Sequence, residues 1–347
     1  AHPHDPDAIV LDYVDTDESA ALLTLLALYE TRSHAGFHTM LKALCDLYGL
    51  RKDQFDRVAN EANYLATMNA ARGDKQRMLD LVRPGRIVEI GPGGGVVLDL
   101  LAERFAGSDI IGLDASREVV DALGQRASAG GNRWRIVHGT ADDLARLVGE
   151  PIDSVVLCSI LHEVYSYATP RFSLAAVERV VRAAFAALAP GGRLVIRDGV
   201  RPPPGTRRIT LLAADAGETF DLYVAQFEGR PIAFRELAPG ERGARRVELS
   251  TADAMEFLYT YVWGAASFPY EVRELYGVLT YDDYVAHLVA WCGGADAAHV
   301  VELAPALRSY LQPGYRDHLH GKIALHDECD RPVELPDSNC LIAIEKR

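Results

Sequence analysis

Val88-Glu89-Ile90-Gly91-Pro92-Gly93-Gly94-Gly95 is the stretch that decides how this chain is read. The apolar run 86–90 reads as a short strand, and it gives way at once to four glycines and a proline. A helical pattern over 95–104 follows. Strand, glycine-rich turn and helix in that order let the backbone come close to a ligand, because glycine accepts sharp turns and carries no Cβ. Two details set this turn apart from one that cradles a pyrophosphate. Glu89 places a carboxylate two residues before the first glycine, and Pro92 has no amide N–H to give a phosphate.

Outward from the turn, short apolar runs alternate with amphipathic stretches, the pattern of a parallel sheet covered by helices. Strands are expected at 86–90, 109–113, 135–137, 154–158 and 193–196, and helices at 95–104, 116–128, 142–148 and 172–188. Pro190-Gly191-Gly192 is expected to end the last helix and turn the chain into the fifth strand. The alternation sets out four regions. Residues 1–82 form a helical extension, with Leu22, Leu25, Leu26 and Tyr29, then Leu41, Leu44, Cys45 and Tyr48, at helical spacing. Residues 83–199 form the core. Residues 200–249, opened by Pro202-Pro203-Pro204-Gly205, form an insertion with short strands at 231–234 and 246–249. Residues 250–347 begin with Ser250 or Thr251 capping an aromatic helix that contains Phe257, Tyr259, Tyr261 and Trp263. The late runs 299–303 and 340–344 are expected to complete the sheet.

Chemistry-bearing residues gather where the strands end. Ile110-Ile111-Gly112-Leu113-Asp114 closes on a carboxylate that can accept both hydroxyls of a ribose, or cap the helix from Ser116 onward. His138-Gly139-Thr140-Ala141-Asp142-Asp143 follows the third strand. The fourth runs into Cys158-Ser159-Ile160-Leu161-His162-Glu163-Val164-Tyr165-Ser166-Tyr167, and the fifth into Arg197-Asp198. Ligands of open α/β sheets bind beyond these strand ends. His162 is the natural proton acceptor there because its ordinary pKa lies near neutrality, and Glu163 can orient it. Asp198 can hold an acceptor group, and Arg197 an anionic one. The same residues also have a plain reading: His162 and Glu163 fixing a loop, Arg197 and Asp198 forming an ion pair, Asp142 and Asp143 favouring a helix N-terminus.

The form E-x-G-x-G-x-G at Glu89, Gly91, Gly93 and Gly95, with Asp114 at the next strand end, resembles the class I S-adenosylmethionine-dependent methyltransferases. The resemblance spans residues 80 to 200. It implies a Rossmann-like, seven-stranded, mostly parallel α/β sheet with helices on both faces, S-adenosylmethionine as cofactor and S-adenosylhomocysteine as product. It also implies that the glycine turn lies beside the cofactor's methionine part. Asp142, with Asp143 next to it, then accepts from the adenine amino group, and Ser159 lies at the cofactor. Tyr165, Tyr167 and Arg197 fall on the substrate side, with His162, Glu163 and Asp198 as the catalytic set. The combination L-H-E-x-Y-S-Y and I-R-D, with Tyr310-Leu311-Gln312-Pro313 further on, is similar to a phage and bacterial subgroup, although Gln312 interrupts its pattern. Some relatives of this kind hold magnesium with an acid after strand four. Ser159 stands there instead, so no metal is expected.

Composition narrows the partners. A formal charge of −13 disfavours broad binding to a phosphate backbone. Five scattered cysteines without a C-x-x-C pair fit a reducing cytoplasm, and no run is apolar enough to span a bilayer. His2, His4, Asp5 and Asp7 read as a floppy terminus rather than a metal site, and the non-Met first residue fits a processed chain or a piece of a longer one. The leading expectation is an enzyme that methylates a small-molecule acceptor on O or N, as a monomer or a homodimer. The extension, the insertion and the aromatic helix would form its lid, lined from Tyr64, Tyr165, Tyr167, Tyr259 and Trp263. An RNA methyltransferase using Arg201, Arg207, Arg208, Arg242, Arg245 and Arg246 is the second reading, and a cofactor-binding regulator the third. Transfer of the cofactor's aminocarboxypropyl arm is a further alternative to methyl transfer.

Overall fold

The computed structural model describes residues 72–131, 133–149 and 151–347. The expected helices of the extension before residue 72, with Tyr64 and Cys45, lie outside the described residues. The described chain opens with a single helical turn, α1 (Arg72–Lys75), and a 3-10 turn, Gln76–Leu81. Then come β1 (Arg86–Ile90), α2 (Val96–Arg104), β2 (Asp109–Asp114), α3 (Arg117–Gly130), β3 (Trp134–His138), α4 (Leu144–Val148) and β4 (Ile152–Cys158). After these follow α5 (Leu161–Tyr167), α6 (Leu174–Ala186) and β5 (Leu188–Gly199).

Strands β1 to β5 are parallel and run in the order β5-β4-β1-β2-β3. Their side chains sort by the two-residue period of a strand. Val88, Val155, Leu157, Leu194 and Ile196 enter one core with Val177, Val181 and Phe185 of α6. Ile87, Val156 and Val195 point the other way, into a second core with Leu98 and Leu101 of α2 and Leu123 of α3. Burial on both faces explains why these strands read as nearly unbroken apolar runs.

The far side of β5 is covered by β12 (Asn339–Lys346), antiparallel to it from Asn339↔Gly199 to Glu345↔Arg193. Beyond β12 a single edge position is shared. β9 (Ala298–Val300) pairs with one end of β12 and β10 (Ser309–Tyr310) with the other. The sheet therefore has eight strands in seven positions, one strand more than the sequence suggests, because two fragments too short to show an apolar period divide one edge. Strand β5 is also longer than expected. Pro190-Gly191-Gly192 is an irregularity inside it, where the register with β4 shifts between Ile152 and Ser154 and Gly191 takes φ +76°.

Residues after 200 build a second sheet of order β11-β6-β8-β7, from β6 (Thr206–Leu211), β7 (Phe234–Glu236), β8 (Arg245–Ser250) and β11 (Ile323–His326). Ile209, Leu211, Val247 and Leu249 on one face pack with Phe220 and Tyr223 of α7 (Ala214–Gln226) and Phe257 of α8 (Thr251–Val262). Ser250 is the cap of α8, accepting from the Asp253 N–H at 3.0 Å. Two further helices, α9 (Gly264–Glu271) and α10 (Tyr281–Trp291), lead to the final strands. Among the described residues no helix is long and apolar enough to cross a membrane.

Candidate functional site

The chain leaves β1 toward β2 and β3 on one side and returns to β4 and β5 on the other, so the order reverses between β1 and β4. Such a reversal opens a crevice at the carboxyl ends of the strands. The register aligns those ends, with Ile90 opposite both Leu113 and Leu157 and Cys158 opposite Arg197.

The glycine turn closes one wall of the crevice. Gly91, Gly93 and Gly95 all have positive φ (+70°, +50° and +75°). A Cβ on Gly91 would meet Ile160 Cδ1 at 2.6 Å, whereas at Gly93 nothing lies within 4 Å, leaving open space along the backbone. Glu89 is only 2% exposed. It accepts the backbone N–H of Leu98 in the first turn of α2, a capping role that Gly95 has no side chain to perform. Its Oε2 has no hydrogen-bond partner. Burial pushes its carboxyl up to about 8, against the lowering effect of Lys75. Asp114, at the end of β2, accepts the Ser116 N–H at 2.8 Å, so the cap reading holds at this position. Burial raises its pKa to about 6, although the N–H groups of Ser116 and Gly93 work against that shift.

Asp142 and Asp143 lie in the 3-10 turn after β3. Asp143 caps the Thr140 N–H and binds Arg146 at 2.7 Å, which lowers its pKa. Asp142 is exposed and faces Arg179 at 3.5 Å. Ser159 takes φ +57° immediately after β4, held by its N–H to the Arg197 carbonyl and by Arg197 Nη1 to its hydroxyl, both 2.7 Å.

The residues expected on the substrate side are mostly spent on one another. Arg197 is 3% exposed, and its guanidinium is shared among Asp74, Tyr310, Gln312 and Ser159. That is a correction: it braces the Ser159 corner and does not face a substrate. Asp198 is 0% exposed. Its Oδ2 accepts the N–H groups of Ile160 (3.1 Å) and Leu161 (2.7 Å), while Oδ1 accepts Gly199 N–H (2.7 Å) and meets His162 Nδ1 (2.6 Å). No oxygen is left to hold an acceptor, so Asp198 too is a positioning residue. The other nitrogen of His162 faces Glu274 Oε2 at 3.5 Å. Burial opposes a charged ring, but Asp198 and Glu274 outweigh it and hold the pKa well above the ordinary histidine value. A ring that keeps its proton does not take another, so the base expected at His162 is not there. Sequence reasoning missed Glu274 and Asp74, which come from segments with no motif of their own.

Glu163 is half-buried on α5, and burial raises its pKa well above the usual carboxylate range. Its charge is felt from both directions, by Glu274 and His162 on one side and by Asp114 on the other. It therefore stands between the buried acidic cluster and the cofactor-side carboxylate. Tyr167 donates to Glu274 Oε1 at 2.8 Å, with its ring between Arg171 and Arg273. Tyr165 is half-buried against Phe172. Four arginines of the anticipated nucleic-acid track are neutralised: Arg201 by Asp283, Arg208 by Glu248 and Asp330, Arg245 by Asp221 and Glu236, Arg246 by Asp330. Among the described residues no group of three or more His, Cys, Asp or Glu is placed to hold a metal ion.

Residues 88–194 match the family described as methyltransferase domain. A stretch of 109 residues is 36% identical to part of the PF 1022-synthetase of a Rosellinia species, covering 30% of this chain and 3% of that protein. A stretch of 87 residues is 37% identical to part of the nonribosomal peptide synthetase kk1B of Curvularia clavata, covering 24% of this chain and 1% of that protein. Similar solved structures include the glycopeptide N-methyltransferase MtfA with S-adenosylmethionine, at 14% identity and TM-score 0.41, covering 80% of this chain and 93% of that one. Another is the plantazolicin methyltransferase BpumL with S-adenosylhomocysteine, at 10% identity and TM-score 0.43, covering 84% and 87%. Over residues 88–194 the chain is a methyltransferase domain of the class I, S-adenosylmethionine-dependent family.

Proposed function

We propose that the protein transfers a methyl group from S-adenosylmethionine to O or N of a small-molecule acceptor. One observation carries the reading: the open glycine turn, the unpartnered Oε2 of buried Glu89 and Asp114 converge on the crevice between β1 and β4. These groups fit an adenosyl amino acid, with backbone room at Gly93, a carboxylate for an ammonium and a carboxylate for ribose hydroxyls. The cofactor supplies an electrophilic methyl carbon on a sulfonium. The chain's share is then largely positioning, which can remove most of the barrier to an in-line displacement.

In this reading Asp114 holds the ribose and Asp142 the adenine amino group, since Asp143 already caps Thr140. The charged His162, pinned between Asp198 and Glu274, fixes α5 so that Glu163 points toward the cofactor side. Glu163 takes the proton from the acceptor's hydroxyl or ammonium onto its carboxylate, a task suited to a carboxyl whose pKa is raised by burial. Tyr165 and Tyr167 line the acceptor side. The matched segments of peptide synthetases support an acceptor from specialised metabolism.

The test is incubation with methyl-labelled S-adenosylmethionine and a cell extract, then separation into RNA, protein and small molecules. Label in the small-molecule fraction is expected. Label in RNA alone, or label transferred only from the cofactor's carboxyl carbon, would overturn the proposal.

A further inference from the structure

Lys75 ends the helical turn α1, and its side chain is only 4% exposed. Its charge acts on Glu89 at the end of β1 and on Cys158 at the end of β4, which places the ammonium over the crevice between those strands. Yet among the described residues it makes no hydrogen bond and no ion pair, and Glu89 Oε2 is likewise without a partner. Two opposite charges are thus buried near each other and remain unjoined. A buried ammonium and a buried carboxylate ordinarily pair or are neutralised, because an uncompensated charge is costly away from water. The neighbouring residue keeps the lysine where it is. Asp74, also buried, is locked to Arg197, so α1 cannot swing to bring Lys75 onto Glu89 without breaking that pair.

A gap between a cation and an anion is filled by a zwitterion turned the opposite way. We infer that Lys75 and Glu89 form a clamp for an α-amino acid group, Lys75 taking its carboxylate and Glu89 its ammonium, and that this group is the methionine end of the cofactor. The inference rests on the cofactor reading above and adds the residue that chooses the amino-acid end. It requires that the protein distinguish cofactor molecules that carry this end from those that lack it.

Calorimetric binding of three compounds tests it. S-adenosylhomocysteine carries both adenosine and the amino acid, 5′-methylthioadenosine lacks the amino acid, and methionine lacks the adenosine. The wild-type protein should prefer S-adenosylhomocysteine to methylthioadenosine. Lys75→Met should weaken S-adenosylhomocysteine roughly 10- to 100-fold, the loss of one charge-assisted contact. Methylthioadenosine should bind the variant as it binds the wild type, which also shows that the variant is folded. Lys75→Arg should recover part of the loss. Equal weakening of both nucleosides by Lys75→Met, or of neither, would overturn the inference alone. Methionine binding as tightly as S-adenosylhomocysteine would assign the clamp to a free amino acid and also overturn it. Wild-type protein that binds neither nucleoside would remove the cofactor reading and this inference together.

Discussion

Replacing Asp198 with Asn removes one charge and exchanges one oxygen for an NH2 group, at a carboxylate that accepts four donors with none of its surface exposed. Whichever way the amide turns, two donors are left facing N–H. They are either Ile160 and Leu161, or Gly199 and His162. A buried donor without an acceptor costs about 1–3 kcal/mol. Removing one partner of a buried ion pair costs about 3–5 kcal/mol, and the two penalties overlap at His162. A loss of about 5 kcal/mol is therefore expected from a total stability on the order of 5–15 kcal/mol. Urea denaturation of the wild type and Asp198→Asn gives the difference directly. The pH dependence supplies a second check. His162 has a folded pKa above its unfolded value near 6.5, so its contribution is complete below pH 6.5 and fades as pH rises through the folded pKa. Wild-type stability should decline over that range, while the variant, its main raising partner gone, should show a much shallower slope. A loss smaller than about 1 kcal/mol, or an unchanged slope, would refute the reasoning that this carboxylate holds the corner after β4.

Three further outcomes are expected. Glu163→Gln should bind S-adenosylhomocysteine as the wild type does but slow methyl transfer by about 10²-fold or more, measured in single turnovers; an unchanged rate would remove it as the base. Cofactor affinity should rise with pH up to the Glu89 value of about 8, by at most tenfold per pH unit, and then level off, since the ammonium binds only the ionised carboxylate. Binding below pH 8 should release a proton, visible as a buffer-dependent enthalpy that Glu89→Gln abolishes. Arg197→Lys should weaken S-adenosylhomocysteine binding about 10-fold, because a lysine cannot reach Asp74, Ser159 and Tyr310 together. Binding within twofold of the wild type would detach the Ser159 corner from the cofactor.

What was legible in the sequence was whatever local spacing controls. The glycine turn, the alternation of strands and helices and the carboxylate ending β2 each involve residues a few positions apart, and the structure places them as the pattern requires. The errors came from partners distant in sequence. Nothing near His162 shows that Glu274 lies against its ring, and without Glu274 the histidine reads as a neutral base. Arg197 reads as an anion receptor until Asp74 is seen beside it. The strand β6 was overlooked because Arg207 and Arg208 hide its period. Those arginines suggested a track for phosphates, but Arg208 is paired with Glu248 on the adjacent strand and Asp330 from a distant loop. Pro190-Gly191-Gly192 has the composition of a turn, and only the pairing with β4 turns it into an interruption within a continuing strand.

The antiparallel strand β12 has a consequence for how the protein comes to be made. It lies inside the large sheet, between β5 and the shared edge, but the ribosome delivers it well over a hundred residues after β5. β11 stands in the same relation to β6. Until both arrive, β5 and β6 each present an open row of backbone donors and acceptors beside strongly apolar residues, the arrangement that invites pairing with another chain. Contacts so distant in sequence also form slowly. The nascent chain thus passes through a period in which its crevice and glycine turn have been synthesised while two sheet edges remain exposed. Its yield in a cell should accordingly depend on chaperone supply more than on the final stability of the fold.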